Sequence, residues 1–183
     1  MGLFSFLPDD AEIGHLLFHD LRRFGHFQRF AHHAMRGDSS LSKANRELIA
    51  AYVSGLNACD FCFGVHQRTA EHFGVSAELL RAVIGDLDTA EVSREMRAIL
   101  GYVGKLTHHP SKLRPSDAEA VYAAGVGERA LHEAIVICSI FSCYNRLVDG
   151  HHIKGTVESY TASSGMLAKH GYRIPWFAKF FKS

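Results

Sequence analysis

A surplus of charge of one sign is missing from this chain. Its 183 residues hold 20 Lys and Arg against 19 Asp and Glu, a formal net charge of +1. Nothing electrostatic therefore points to nucleic acid or an anionic membrane as partner. Long apolar runs are missing too. The longest candidate, 134–147, is broken by Asn145-Arg146 and falls short of the roughly 18 residues that a membrane span needs. Met1 to Asp10 has no basic n-region, and Pro8-Asp9-Asp10 ends its apolar stretch too soon for a secretory signal. Phe6 stands where a myristoylation pattern needs Ser or Thr. The expected compartment is cytoplasmic. With no low-complexity tract and no Pro/Gly/Ser-rich linker, a single domain over 1–183 is expected. Cysteine is scarce as well. Four cysteines without a secretory signal do not read as a disulfide framework. Two of them form a Cys-x-x-Cys, which in a reducing compartment is a metal site or a redox dithiol.

No segment alternates apolar and polar residues as a half-buried strand would, so the expected fold class is all-α. Ile13, Leu16, Leu17, Leu21, Phe24, Phe27 and Phe30 recur at helical spacing, predicting one helix closed by Arg36-Gly37. Ser42 is a candidate N-cap for a second helix through Leu56. Asn57, a residue that tolerates the left-handed conformation, is expected to end it. A third helix begins near Cys59 and runs to about Phe73, ended by Gly74. Ser76 and Ser93 open two more, and Ser116 with Glu119 predicts a capping box for the next. Glu128 to Val148 is the most apolar helix and is placed inside the molecule. Thr156 to His170 is the last regular one. The aromatic tail Trp176, Phe177, Phe180 and Phe181 reads as a subunit contact or a final helix on the core, with the contact preferred.

The informative stretch is Glu47-Leu-Ile-Ala-Ala-Tyr-Val-Ser-Gly-Leu-Asn-Ala-Cys59-Asp-Phe-Cys62-Phe-Gly-Val-His66. At about 100° per residue, Cys59, Cys62 and His66 share one helix face. His66 follows Cys62 by four residues, the spacing at which side chains meet. An imidazole there can take the thiol proton and leave the reactive thiolate, which the helix N-terminus also favours. The helix bearing Glu47 should form an antiparallel hairpin with the helix bearing His66. Glu47 and His66 then reach the same level, where a carboxylate can orient the imidazole.

Glu-x11-Cys-x2-Cys-x3-His in a helical hairpin resembles the core motif of the alkylhydroperoxidase D (AhpD-like) proteins of the carboxymuconolactone decarboxylase superfamily. Arg46-Glu47-Leu48-Ile49 and Val53-Ser54-x-Leu-Asn57 resemble its peroxidase-related branch. The likeness covers 42–74, with a fainter echo at Asn145-Arg146-Leu147-Val148-Asp149. The resemblance implies an AhpD-like helical bundle, a homo-oligomer (trimer or hexamer), and hydroperoxide reduction by the dithiol. It implies Cys62 as the attacking cysteine, passing through a sulfenic acid. Cys59 would be the resolving cysteine, and His66 with Glu47 the proton relay. The reductant would be a lipoamide-type or other thiol, with no cofactor. One departure bears on peroxidase rate and reductant: the best-known members carry histidine just before the second cysteine, where this chain has Phe61.

Other readings exist for the same residues. Cys59 and Cys62 could be packing thiols. With His66 and Glu47 they could hold a structural zinc, although a large helical core does not need a metal to fold. A lactone decarboxylase is the other activity of the superfamily, and its chemistry needs no Cys-x-x-Cys. Cys138 and Cys143 read as packing residues on the buried helix. A di-iron site is rejected, because only Glu12-x-x-His15 fits its signature. Shifting by 86 residues places Glu133 on Glu47 and His152 on His66, a faint hint of a second hairpin.

Overall fold

The computed structural model describes residues 3–173, so the aromatic tail from Trp176 lies outside the described residues. Every regular element described is helical: α1 (Ile13–His19), α2 (Leu21–Arg36), α3 (Lys43–Leu56), α4 (Asp60–His72), α5 (Ala77–Gly85), α6 (Arg94–His108), α7 (Pro115–Ala123), α8 (Glu128–Gly150) and α9 (Val157–His170). No described helix is long and apolar enough to cross a membrane. The fold is all-α, as the periodicity requires.

Helix starts follow local chemistry. Ser42, Ser76, Ser93 and Thr156 each accept a backbone N–H three residues on, satisfying a donor that the first turn leaves free. Two boundaries depart from expectation, and at a third the helix ends where expected but a different residue makes the left-handed turn. The first predicted helix is two, because the Asp20 carboxylate caps Arg23 N–H and its own backbone (φ −131°, ψ 63°) leaves the helical region. Helix α7 starts ahead of Ser116: Pro115 occupies its first turn, where no N–H is needed, and Asp117 accepts from the Arg114 N–H. At the end of α3, Asn57 stays right-handed (φ −81°), and Ala58 takes the left-handed conformation instead (φ +54°).

The most extensive helix pairing is the α3–α4 hairpin, with α8 and α6 against α3 and α9 along α4. The main core joins Ile49, Val53, Leu100, Val103, Ile137 and Phe141. A smaller apolar cluster, built around Leu16, Cys59, Phe61, Cys62, Val65 and Val148, lies beneath the hairpin turn. Burying apolar side chains at about 1.5–3 kcal/mol each gives both clusters their hold on the helices. Helix α8 is not buried all round. Cys138 packs inside as expected, whereas Cys143 lies on the exposed face. Nor does α8 break into a second hairpin: it runs unbroken over the region aligned with the α3–α4 turn, and Glu133 binds Ser39, Ser40 and Arg129.

A polar tie fixes the turn against α8. Asn57 donates to Asn145 Oδ1 (2.8 Å), and buried Asn145 donates to Ser54 Oγ (3.1 Å). The Cys59 N–H donates to the Ser54 carbonyl (3.0 Å). The Cys-x-x-Cys segment thus begins from a clamped point.

Candidate active site

Cys59 is the N-cap of α4, with extended backbone (φ −86°, ψ 92°), and Cys62 sits in the helix's first turn. Their sulfurs are reduced in this structure, and both residues are buried. They differ in surroundings. Cys59 is sealed at 0% exposure, while Cys62 lines a cavity of about 340 Å³ between α1, α4, α8 and α9. The hydrogen bond to Cys62 pushes the Cys59 thiol well above its ordinary range, burial adds to this, and the Asp149 carboxylate acts the same way. Cys59 is therefore held as the protonated thiol.

His66 lies four residues after Cys62 on α4 and lines the same cavity. Its Nδ1 is 2.9 Å from Glu47 Oε2 on α3, so the two arms of the hairpin meet directly, without an intervening water. The Phe141 edge packs on the imidazole at 4.4 Å between centroids, fixing its plane. Glu47 is fully buried and ion-paired through Oε1 to Arg36 at 2.6 Å. Burial alone would raise its carboxyl. The hydrogen bond from His66, together with the charge and hydrogen bond of Arg36, outweighs that and holds it below the usual carboxylate value. An ionised carboxylate only accepts, so Nδ1 carries the proton and Nε2 is left as the basic nitrogen. Nε2 takes no hydrogen bond among the described residues.

Arg36 reaches Glu47 because Arg46, the residue before Glu47, clamps the end of α2. Its guanidinium donates to the carbonyls of Ala34 (3.1 Å) and Gly37 (3.0 Å), which the helix terminus leaves unpaired. Arg36 in turn donates to Met35 and Leu167 carbonyls and lies over the Phe73 and Tyr172 rings. The buried Tyr172 hydroxyl donates weakly to Glu47 Oε1 at 3.4 Å. Burial, with Glu47 beside it, pushes that phenol well up, so it stays protonated. Nothing in the sequence pattern points to Arg36 or Tyr172 as partners of Glu47. Arg36 reads as a helix-end residue, and no periodicity links either to that carboxylate.

The cavity wall is mostly apolar, formed by Ile13, Leu17, Phe18, Phe61, Phe141 and Leu167 among others. Phe61 is turned into it and packs edge-on against Tyr160 (5.9 Å), whose ring lies close over Gly64 and Gly155. No three His, Cys, Asp or Glu side chains converge as a metal site needs among the described residues. Glu47, the fourth ligand of the zinc reading, is already engaged by Arg36 and His66.

Residues 24–105 match the Carboxymuconolactone decarboxylase family. No curated protein matches the chain in sequence. Among solved structures, the fold is similar to that of an uncharacterized peroxidase-related protein from Silicibacter sp. TM1040. That match has TM-score 0.73 and 18% identity over 87% of this chain and 94% of that one. An uncharacterized peroxidase-related protein with an alkylhydroperoxidase AhpD core, from Ralstonia eutropha JMP134, is similar at TM-score 0.75 and 20% identity, over 83% and 80%. A protein of unknown function from Agrobacterium tumefaciens follows at 0.68 and 18%, over 78% and 96%. At these identities the structural likeness is one of fold.

Proposed function

We propose that this AhpD-like member of the carboxymuconolactone decarboxylase superfamily reduces hydroperoxides through a Cys59/Cys62 dithiol–disulfide cycle. One observation carries the reading. Cys62 faces the cavity beside a histidine whose outer nitrogen is a base, while Cys59 waits behind it, sealed and protonated. Family membership alone supports only the scaffold; the asymmetry of the two sulfurs supports the chemistry.

In the first step His66 Nε2 takes the Cys62 proton. The thiolate attacks the terminal peroxide oxygen, an S–O bond forms, and the O–O bond breaks. Sulfur is oxidised by two electrons to a sulfenic acid, and the peroxide is reduced to an alkoxide, which receives the proton from His66. In the second step Cys59 attacks that sulfur and loses its proton as water departs, leaving the disulfide. A dithiol of lipoamide type or another thiol then restores the reduced pair. Cytoplasmic residence and a trimeric or hexameric assembly belong to the same proposal.

The test is titration of the reduced protein with peroxide while free thiols are counted and new bonds located by peptide mass. One equivalent should consume two thiols as a Cys59–Cys62 disulfide, and Cys62→Ser should abolish the reaction. Survival of both thiols in excess peroxide would overturn the reading.

A further inference from the structure

The alkoxide that leaves Cys62 develops its charge in an apolar cavity, where an unpaired charge is expensive. His66 already serves the sulfur, and Phe61, the cavity residue directly before Cys62, has no donor. Among the described residues that line the cavity, Tyr172 is a buried donor already committed to Glu47, and another stands on a helix. Tyr144 of α8 is 4% exposed, its ring is fixed against Phe27 (4.6 Å) and Phe141 (5.8 Å), and its hydroxyl hydrogen-bonds Gln28 Oε1 of α2. Tyr144, Gln28, Cys62 and His66 line the same cavity.

Resting on the peroxidase reading above, we propose that the Tyr144 hydroxyl donates a hydrogen bond to the departing peroxide oxygen, with Gln28 as its positioning residue. In the resting state the phenol donates to the Gln28 carbonyl. Rotation of the half-buried carboxamide presents its NH2 to the phenol oxygen and frees the O–H for the cavity. Atoms and electrons balance as before. The sulfur supplies the electron pair, the O–O bond breaks, and the proton that neutralises the alkoxide still comes from His66. Tyr144 only shares its own proton, so no phenolate forms. Burial, with the nearby Cys143 and Cys62 sulfurs adding to it, pushes the phenol well up and keeps the donor protonated across the working range.

The discriminating experiment compares two reactions of Cys62 in the reduced full chain. Oxidation by tert-butyl hydroperoxide, followed by stopped flow, has an oxyanion leaving group. Alkylation by iodoacetamide needs the same thiolate but releases iodide, which needs no proton donor. Tyr144→Phe keeps the ring packing and should slow the peroxide reaction on the order of a hundredfold. Its alkylation rate should stay within about twofold of the parent's. Gln28→Leu should slow the peroxide reaction in the same direction by a smaller factor, again sparing alkylation. Parental peroxide rates in Tyr144→Phe, or equal losses in both reactions, would overturn the assignment, the latter by showing a general effect on the thiolate. A parent protein that alkylates but ignores the peroxide would instead overturn the function itself, and this inference with it.

Discussion

Replacing Glu47 with Gln tests the buried centre of the site by stability and by rate. The substitution keeps size and shape but removes the one negative charge between Arg36 (2.6 Å) and His66 (2.9 Å), in a place with no water access. Breaking a buried ion pair from one side typically costs about 3–5 kcal/mol, because the partner charge is stranded. Arg36 keeps its bonds to the Met35 and Leu167 carbonyls, and Gln still offers an acceptor, so the lower end, ~3 kcal/mol, is expected. At about 2–4 °C per kcal/mol for a chain of this size, the melting temperature should fall by about 6–12 °C at neutral pH. The sign of the pH dependence follows from Glu47's depressed carboxyl. Its stabilisation is present above the ordinary value of 4.5 and is lost as pH falls through the lower folded value. The gap between parent and Glu47→Gln should therefore close in acid, as calorimetry or circular dichroism melts at stepped pH would show. Peroxide oxidation of Cys62 should slow on the order of a hundredfold in the same variant, since the proton on Nδ1 is no longer fixed. A variant that melts within about 1 °C of the parent at neutral pH would refute this account of the buried pair.

Cys59→Ser should still consume one equivalent of peroxide but stop at a sulfenic acid on Cys62, trapped by dimedone and located by mass; disulfide-linked dimers in its place would contradict the enclosed position of Cys62. Gly155→Ala places a methyl 2.0 Å from the Tyr160 ring and 2.8 Å from Phe61, so a loss of about 1–3 kcal/mol is expected in denaturant melts. Asn145→Leu leaves the Asn57 amide without its acceptor and Ser54 Oγ without its donor, at a cost of about 1–3 kcal/mol with faster amide exchange around Cys59.

The sequence made the hairpin legible because its evidence is local. Equal rise on two arms of one turn is enough to set Glu47 level with His66, and the serine caps of α3, α5 and α6 are three-residue signals. What could not be read comes from far along the chain or from competition between near-equal local choices. Arg36 and Tyr172 converge on Glu47 only through tertiary packing, and Gln28 meets Tyr144 across two helices with no shared periodicity. Asp20 broke a helix whose apolar spacing ran straight through it, since a carboxylate cap can outweigh continuity at one residue. Pro115 likewise took the start of α7 from Ser116. Ala58 rather than Asn57 turns left-handed because the Asn57 side chain is committed to Asn145.

The guanidinium that holds Glu47 is itself held by the carbonyl of Leu167. During synthesis the dithiol hairpin is complete once residues 43–72 have emerged, yet nearly a hundred residues later the carboxylate still lacks its full set of partners. A growing chain thus carries both sulfurs long before it carries the finished relay beside them. The anchoring of that buried carboxylate is thus among the last contacts that folding can make.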